Sequence, residues 1–126
     1  MAMKGDDLSE RLLNFAVRVI GLVNALPKTL AGRHVGGQLM RSGTGGGSNY
    51  EEGRGAESRA DFIHKISISW KEIREAWYWV RLIHRAELVK PRRVENLVQE
   101  ANELSAILAK SLATARSKPN GKKVTS

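Results

Sequence analysis

Residues 38–53 combine an unusual number of glycines with flanking sequence typical of a helix. The segment has the sequence QLMRSGTGGGSNYEEG and holds five of the twelve glycines in the chain. Each glycine inside a helix costs about 1 kcal/mol relative to alanine, so a helix here must gain its stability from tertiary contacts. Glycine allows two helices to approach more closely than the usual separation of about 8–10 Å. We therefore predict a helix whose backbone packs directly against its neighbours.

Two sets of glycines in this region have helical spacing. The first is Gly36, Gly43 and Gly47, and the second is Gly46 and Gly53. Residues at these spacings lie on one side of a helix. The alternative is a flexible loop that cradles a phosphate. No strand-like apolar run precedes the segment and it lacks the spacing of a nucleotide-binding motif, so the helix is favoured.

Composition and charge favour an anionic partner. The 126 residues are enough for one domain with its own core. The net charge is +8, which favours partners such as nucleic acid. Four of these charges follow the last periodic apolar residue, which leaves 8 − 4 = +4 for the rest of the chain. They belong to Arg116, Lys118, Lys122 and Lys123.

The chain shows no sign of disulfide bonding or membrane insertion. Cysteine is absent, which excludes disulfides and thiolate metal sites. The first residues have no apolar run of signal-peptide length, and no apolar segment is long enough to span a bilayer. We therefore expect a soluble, cytoplasmic protein that does not bind membranes.

Apolar periodicity predicts four helices. The first spans about 18 residues, with a cap among residues 6–9, and Pro27 stops it. The second runs from near Arg33 to residues 53–55, and the fourth begins at Pro91, since proline suits the first helical position. Short connections favour an all-α, antiparallel up-down-up-down four-helix bundle. We assign the bundle to residues 1–117 and predict a disordered basic tail for residues 118–126.

The third predicted helix is apolar on more than one face. Ser58 lies among the residues that can open it. One face is a continuous seam of Phe62, Ile66, Ser69, Ile73, Ala76, Val80 and Ile83. A second row contains Ile63, Trp70 and Trp77, seven residues apart. Such a helix is either central to the fold or shared between subunits. The second row is therefore our candidate oligomer interface, and ordinary core is the alternative.

Two blocks of this sequence resemble a known bacterial family of four-helix bundles. Residues 38–53 are similar to the pattern QLxRSxxSxxxNxxEG of proteins encoded within 23S rRNA intervening sequences. The matching residues are Gln38, Leu39, Arg41, Ser42, Asn49, Glu52 and Gly53. The second block resembles the family's third helix and matches at Phe62, Ile63, Lys65, Ile66, Glu72, Glu75 and Trp79. The resemblance extends from Leu8 to about Leu112.

The resemblance carries expectations about assembly and partners. The same family includes the accessory variability proteins of diversity-generating retroelements, which work beside a reverse transcriptase. Resemblance to them implies a homopentameric ring of bundles with a basic surface that is proposed to bind nucleic acid. The chain departs from the family pattern at Gly45, where the family has serine. Gly43 and Gly46 also replace the more usual alanine or valine.

Polar residues on the second and third predicted helices form a candidate network. They are Gln38, Arg41, Ser42, Asn49, Glu52, Glu72 and Glu75. Arg41 can pair with Glu72 or Glu75, because a buried arginine without a carboxylate partner is very costly. The network would fix the register of the two helices. The alternative is an anion site at Arg41.

Arginines near the end of the third predicted helix are candidate nucleic-acid contacts. They are Arg74, Arg81, Arg85, Arg92 and Arg93. Cations at a helix C-terminus also stabilise the helix dipole, and charged rows are often only the solvated face. In a closed ring, however, each subunit repeats the patch, so a weak patch becomes a strong one.

No pattern in the sequence supports an enzyme. Glu72 and Glu75 have no histidine at the spacing of a Glu-x-x-His metal motif, and no nucleophile lies at a useful spacing from a base. We predict no metal and no cofactor. The leading hypothesis is a non-enzymatic oligomer that binds structured nucleic acid, either RNA or a DNA/RNA hybrid, through phosphate contacts. The alternative is a protein-protein adaptor without direct nucleic-acid binding.

Overall fold

Four α-helices, joined by short connections, form an antiparallel bundle. The structure, a computed structural model, describes residues 5–118. Its helices are α1 (Gly5–Ala25), α2 (Leu30–Arg54), α3 (Arg59–Arg85) and α4 (Glu95–Ser117). Since short connections make consecutive helices antiparallel, the chain runs up, down, up and down. The predicted all-α bundle is confirmed, and the homopentameric ring stays a prediction.

The four observed helices cover the same parts of the chain as the four predicted ones. Part of the predicted tail lies outside the residues that the structure describes. Residues 119–126, the greater part of the predicted tail, are not among the residues that the structure describes. The division into a bundle of residues 1–117 and a tail of residues 118–126 stays a prediction. Within residues 5–118, no helix combines the length and apolar character that a membrane span requires.

Side-chain caps determine where α2 and α3 begin. The Thr29 hydroxyl accepts a hydrogen bond from the Gly32 amide at 3.1 Å, and the Ser58 hydroxyl accepts one from the Asp61 amide at 3.1 Å. Each bond satisfies an amide that has no partner inside its helix. Because of the Thr29 cap, α2 begins at Leu30, before the predicted start near Arg33.

The observed starts of the first and fourth helices differ from the predicted ones. The candidate caps among residues 6–9 lie inside α1, which extends to Gly5. Pro91 does not begin α4 but opens a 3₁₀ turn, in which the Val94 amide donates to the Pro91 carbonyl at 3.1 Å. Val94 is fully buried. The first α-helical hydrogen bond of α4 runs from the Val98 amide to the carbonyl of this buried Val94.

Helix α2 packs against α1 and α3, and glycine lies at both contacts. On the α1 side, a Cβ atom at Gly43 would lie 2.8 Å from Val19 Cγ2. On the α3 side, a Cβ atom at Gly46 would lie 2.5 Å from Ile73 Cγ1, and real Cβ atoms essentially never come within 3.0 Å of a neighbour. The Ser69 hydroxyl donates to the Gly46 carbonyl at 2.7 Å. The glycine segment is therefore a helix and not a loop.

The core contains apolar residues from all four helices. On α1, apolar residues at alternating steps of four and three form a buried seam of Leu8, Leu12, Phe15, Val19, Leu22 and Leu26. On α3, the seam from Ile66 to Ile83 is also buried, whereas Phe62 at its start is half-buried. These two seams place the remaining faces of α1 and α3 at or near the surface.

An arginine on α1 connects this helix to α4. Arg11 donates two hydrogen bonds to the Glu100 carboxylate, at 3.0 and 2.6 Å, and one to Glu103 at 3.1 Å. The bonds to Glu100 are the main reason why the pKa of Arg11 is raised. Gln99 also donates to Glu103 at 3.0 Å. The Gln99 hydrogen bond, followed by the Arg11 contact, lowers the pKa of Glu103.

Candidate nucleic-acid interface

One end of the bundle carries a concentration of exposed cations. The antiparallel topology brings the start of α2, the end of α3 and the turn before α4 to this end. The six exposed cations there, which we call the basic end, are Lys28, Arg33, Arg85, Lys90, Arg92 and Arg93. Among residues 5–118, none of the six forms an ion pair with a carboxylate. Their charges therefore face solvent and remain available to an anion.

The opposite end of the bundle is mainly acidic. It contains the start of α1, the turn from α2 to α3 and the end of α4. Its exposed acids are Asp6, Asp7, Glu10, Glu51, Glu52, Glu57 and Asp61. Of the cations there, Arg54 pairs with Asp6 and Lys65 pairs with Glu52, whereas Arg116 and Lys118 are exposed. The basic end has two exposed acids, Glu87 and Glu95, against its six cations, so the bundle has a charge polarity along its long axis that would direct a polyanion to the basic end.

The five arginines predicted to contact nucleic acid divide into two groups. Arg85, Arg92 and Arg93 belong to the basic end. Arg74 and Arg81 instead lie along the side of α3 and stack on tryptophans. The Arg74 guanidinium carbon is 5.4 Å from the centre of the Trp70 ring. That of Arg81 is 3.9 Å from the Trp77 ring. Cation–π contacts of this kind hold the guanidinium groups in place without neutralising their charge.

Three cations of the basic end were not among the predicted contacts. Lys28 and Arg33 precede the glycine segment, far in sequence from Arg92, and Lys90 lies in the turn before Pro91. The antiparallel pairing of helices brings them to the same end. The up-down-up-down topology was the signal that could have identified them, because it places the α1–α2 and α3–α4 turns together.

The candidate polar network is centred on Arg41. Its guanidinium donates to both oxygens of Glu72, at 3.0 and 3.3 Å, and to the Glu75 carboxylate. It also donates to the Gln38 side chain at 3.3 Å. The indole of Trp79 donates to Glu75 at 3.0 Å. These contacts connect α2 to α3, although the Arg41 side chain is 51% exposed. Two facing carboxylates make an anion site at Arg41 unfavourable.

The other members of the candidate network form separate contacts. The Ser42 hydroxyl donates to the Gln38 carbonyl at 2.9 Å, and the Asn49 amide donates to the Gly45 carbonyl at 2.9 Å. Both bonds lie within α2. Glu52 instead accepts a hydrogen bond from Lys65 of α3 at 2.7 Å. The structure therefore brings Gln38, Arg41, Glu72 and Glu75 together and places the remaining three elsewhere.

The candidate oligomer interface is not the most exposed apolar surface of the bundle. Ile63, Trp70 and Trp77 are half-buried and pack against the core. A more exposed row, which the sequence pattern did not single out, lies on α1. It contains Leu13, Val17 and Ile20, which are 58%, 60% and 42% exposed. These residues are spaced by four and three, so they share one face of α1.

Comparison with known proteins shows the family to which the chain belongs. Residues 7–110 match the family model of the 23S rRNA-intervening sequence protein. The chain belongs to this family. A similar solved structure is a protein of unknown function from the S23 ribosomal protein family of Bacteroides thetaiotaomicron VPI-5482. It is 33% identical, with a TM-score of 0.74, and the match covers 88% of this chain and 99% of that one. A comparison with curated proteins gave no match.

Gly45, at which the resemblance led us to expect serine, lies against the Arg41 network. A Cβ atom at Gly45 would lie 3.2 Å from the carboxyl carbon of Glu72, and still closer to one of its oxygens. A side chain at residue 45 would therefore require the end of the Glu72 side chain, which Arg41 binds, to move. Glycine at residue 45 thus leaves space for the Glu72 side chain that binds Arg41.

Proposed function

We propose that this chain is a non-enzymatic, cytoplasmic protein that binds structured RNA or a DNA/RNA hybrid at its basic end. The observation that carries the proposal is the group of six exposed cations without a carboxylate partner at one end of the bundle. The name of the family, which refers to a 23S rRNA intervening sequence, supports RNA as the ligand. Because the cations are exposed and come from separate turns, they suit phosphates along a backbone better than individual base edges.

The test compares two triple variants of equal charge. Arg85, Arg92 and Arg93 are changed to glutamine in the first variant, and Lys110, Arg116 and Lys118 in the control. The control residues are exposed as well, but they lie on the second half of α4 or just after it. Binding of a labelled structured RNA is measured by fluorescence anisotropy at several salt concentrations.

We expect the first variant to bind at least tenfold more weakly than the wild type and the control to bind nearly normally. The log–log slope of affinity against salt changes by about 0.7–0.9 for each phosphate that the protein no longer neutralises. The first variant should therefore show a smaller slope than the control. Equal weakening in both variants would mean that only net charge matters. Salt-independent binding, or no binding of RNA or DNA by the wild type, would refute the proposal.

Self-association in a homopentameric ring is part of this proposal, and its support is the resemblance described above. A ring of parallel subunits would place all basic ends on one rim. Native mass spectrometry of protein purified without nuclease would report the subunit number and any retained nucleic acid together. Ile63 is the member of the candidate interface on which no arginine stacks, so Ile63→Gln should reduce the subunit number if this row forms the interface. A monomeric wild-type protein would remove the ring from the proposal.

A protein adaptor is the second candidate function. The exposed apolar row of Leu13, Val17 and Ile20 favours it, because such a row suits a helix or groove of another protein. A reverse transcriptase encoded nearby is the partner to test. It should co-purify with the tagged chain after nuclease treatment, and substitution of all three residues by glutamine should release it. Loss of the enzyme on nuclease treatment alone would instead indicate an association through nucleic acid.

A further inference from the structure

Tyr78 on α3 is an exposed aromatic side chain within a basic surface. The residue is 50% exposed, whereas the other large apolar residues that are comparably exposed on the described helices are aliphatic. Within residues 5–118, the Tyr78 hydroxyl forms no hydrogen bond that would explain why the ring lies at the surface. The ring therefore presents apolar area to solvent at a place where the fold does not require it.

Neighbouring side chains hold the Tyr78 ring in a defined position. The Trp79 ring contacts it edge-to-face, with ring centres 4.9 Å apart and planes at 78°. Trp79 is itself positioned by the hydrogen bond from its indole to Glu75 and by the His34 ring, whose centre is 5.9 Å away. Because its support is fixed, the ring can receive a flat ligand with little loss of side-chain entropy.

Four cations surround Tyr78 on the surface of α3. Two of them, Lys71 and Arg74, lie seven and four residues before Tyr78. The other two, Arg81 and Arg85, lie three and seven residues after it. At these helical spacings all four share the face of Tyr78. None of them pairs with a carboxylate among the described residues. Glu75 is close in sequence, but Arg41 and Trp79 already bind its carboxylate. Arg85 also belongs to the basic end, so the two surfaces are continuous.

We propose that Tyr78 stacks on an unpaired base of the bound nucleic acid, while the four cations contact the adjacent phosphates. An aromatic ring among cations is the arrangement by which proteins bind single strands, since stacking needs a base whose face is accessible. In a duplex this face is covered by the next base pair. The proposal rests on the proposed function and adds that the preferred ligand contains single-stranded nucleotides next to its structured part.

The test uses a labelled ten-nucleotide oligouridine and a blunt-ended RNA duplex as probes. The variants are Tyr78→Ala, Tyr78→Leu, which keeps apolar bulk but has no aromatic face, and Tyr78→Phe, which keeps the ring. Stacking on one base contributes about 1–3 kcal/mol, so Tyr78→Ala and Tyr78→Leu should bind the oligouridine about 5- to 150-fold more weakly. Tyr78→Phe should bind like the wild type, and duplex binding should be unchanged in all three.

The outcomes separate this proposal from the proposed function. If all variants bind the oligouridine like the wild type, or if both probes are weakened equally, stacking by Tyr78 is refuted. Duplex binding that depends on the basic end but not on Tyr78 would leave the proposed function standing alone. No binding of either probe by the wild type would overturn both. Circular dichroism of each variant would show that the fold is retained, and Tyr78→Leu serves if Tyr78→Ala does not fold.

Discussion

Substitution of Gly46 by leucine tests whether close packing of α2 against α3 stabilises the bundle. A side chain at this position would meet the buried Ile73 side chain, and its Cβ atom would be 3.7 Å from the Ser69 carbonyl oxygen. Ile73 is completely buried, so it has little free space into which it can move. We therefore expect overpacking, whose cost is typically about 1–3 kcal/mol.

The net effect also includes helix propensity. Leucine forms helices better than glycine by roughly 1 kcal/mol, which offsets part of the overpacking. Since leucine adds four carbon atoms at a site that lacks room for the first, we take the upper part of the overpacking range. The free energy of unfolding should then fall by about 2 kcal/mol, and the melting temperature by about 8 °C, at about 4 °C for each kcal/mol.

Gly37 provides the matched control on the same helix. It is exposed, and a Cβ atom there would have no neighbour within 4 Å. Gly37→Leu should therefore show the propensity effect alone and melt about 4 °C higher than the wild type. Thermal unfolding followed by circular dichroism at equal protein concentrations would measure both variants. If Gly46→Leu is as stable as Gly37→Leu, the glycine at 46 is not needed for packing and our account of α2 is wrong.

Two further predictions concern the α3–α4 turn and the α1–α4 contact. Glu87 has a φ of 51°, a conformation that costs a non-glycine residue about 1 kcal/mol. Glu87→Gly should thus raise the melting temperature, whereas Glu87→Gln should not, and both should strengthen RNA binding because they remove a negative charge near the basic end. The pKa of Glu103 is lowered from its ordinary value of 4.5, so its contribution to stability is present above that pH and is lost as the pH falls below it. Between pH 7 and pH 3, the free energy of unfolding measured with urea should fall less in Arg11→Met than in the wild type. An equal fall in both would contradict the contact between Arg11 and Glu103.

The sequence predicted the helices well because apolar period and breakers are local signals. The helical state of the glycine segment also followed from spacing, since glycines at intervals of seven and four are typical of helix contacts. Helix starts were predicted less well. Thr29 directly precedes α2, but the first large apolar side chain that α2 buries is Val35, so the apolar period does not mark the start of this helix. The 3₁₀ turn at Pro91, which places α4 four residues later, has no apolar period of its own.

The surfaces were harder to predict than the helices because they depend on how the helices pair. Leu13, Val17 and Ile20 repeat at steps of four and three beside the longer buried row of α1, and their exposure shows that no described helix packs on that face. Lys28 and Arg33 join Arg92 only through the topology of the bundle. The exposure of Arg41 also depends on the geometry of the α2–α3 contact and not on residue type.

The glycine content of α2 has a consequence for the order in which the chain folds. An isolated segment with four glycines in five positions has low intrinsic helicity, so α2 should gain its structure from docking onto its neighbours. During synthesis, α1 and α2 leave the ribosome before α3 has emerged to supply half of that docking surface. We therefore expect α1 to be only partly helical and α2 to be unstructured until α3 emerges. The contacts of α2 with α1 and with α3 should then form together.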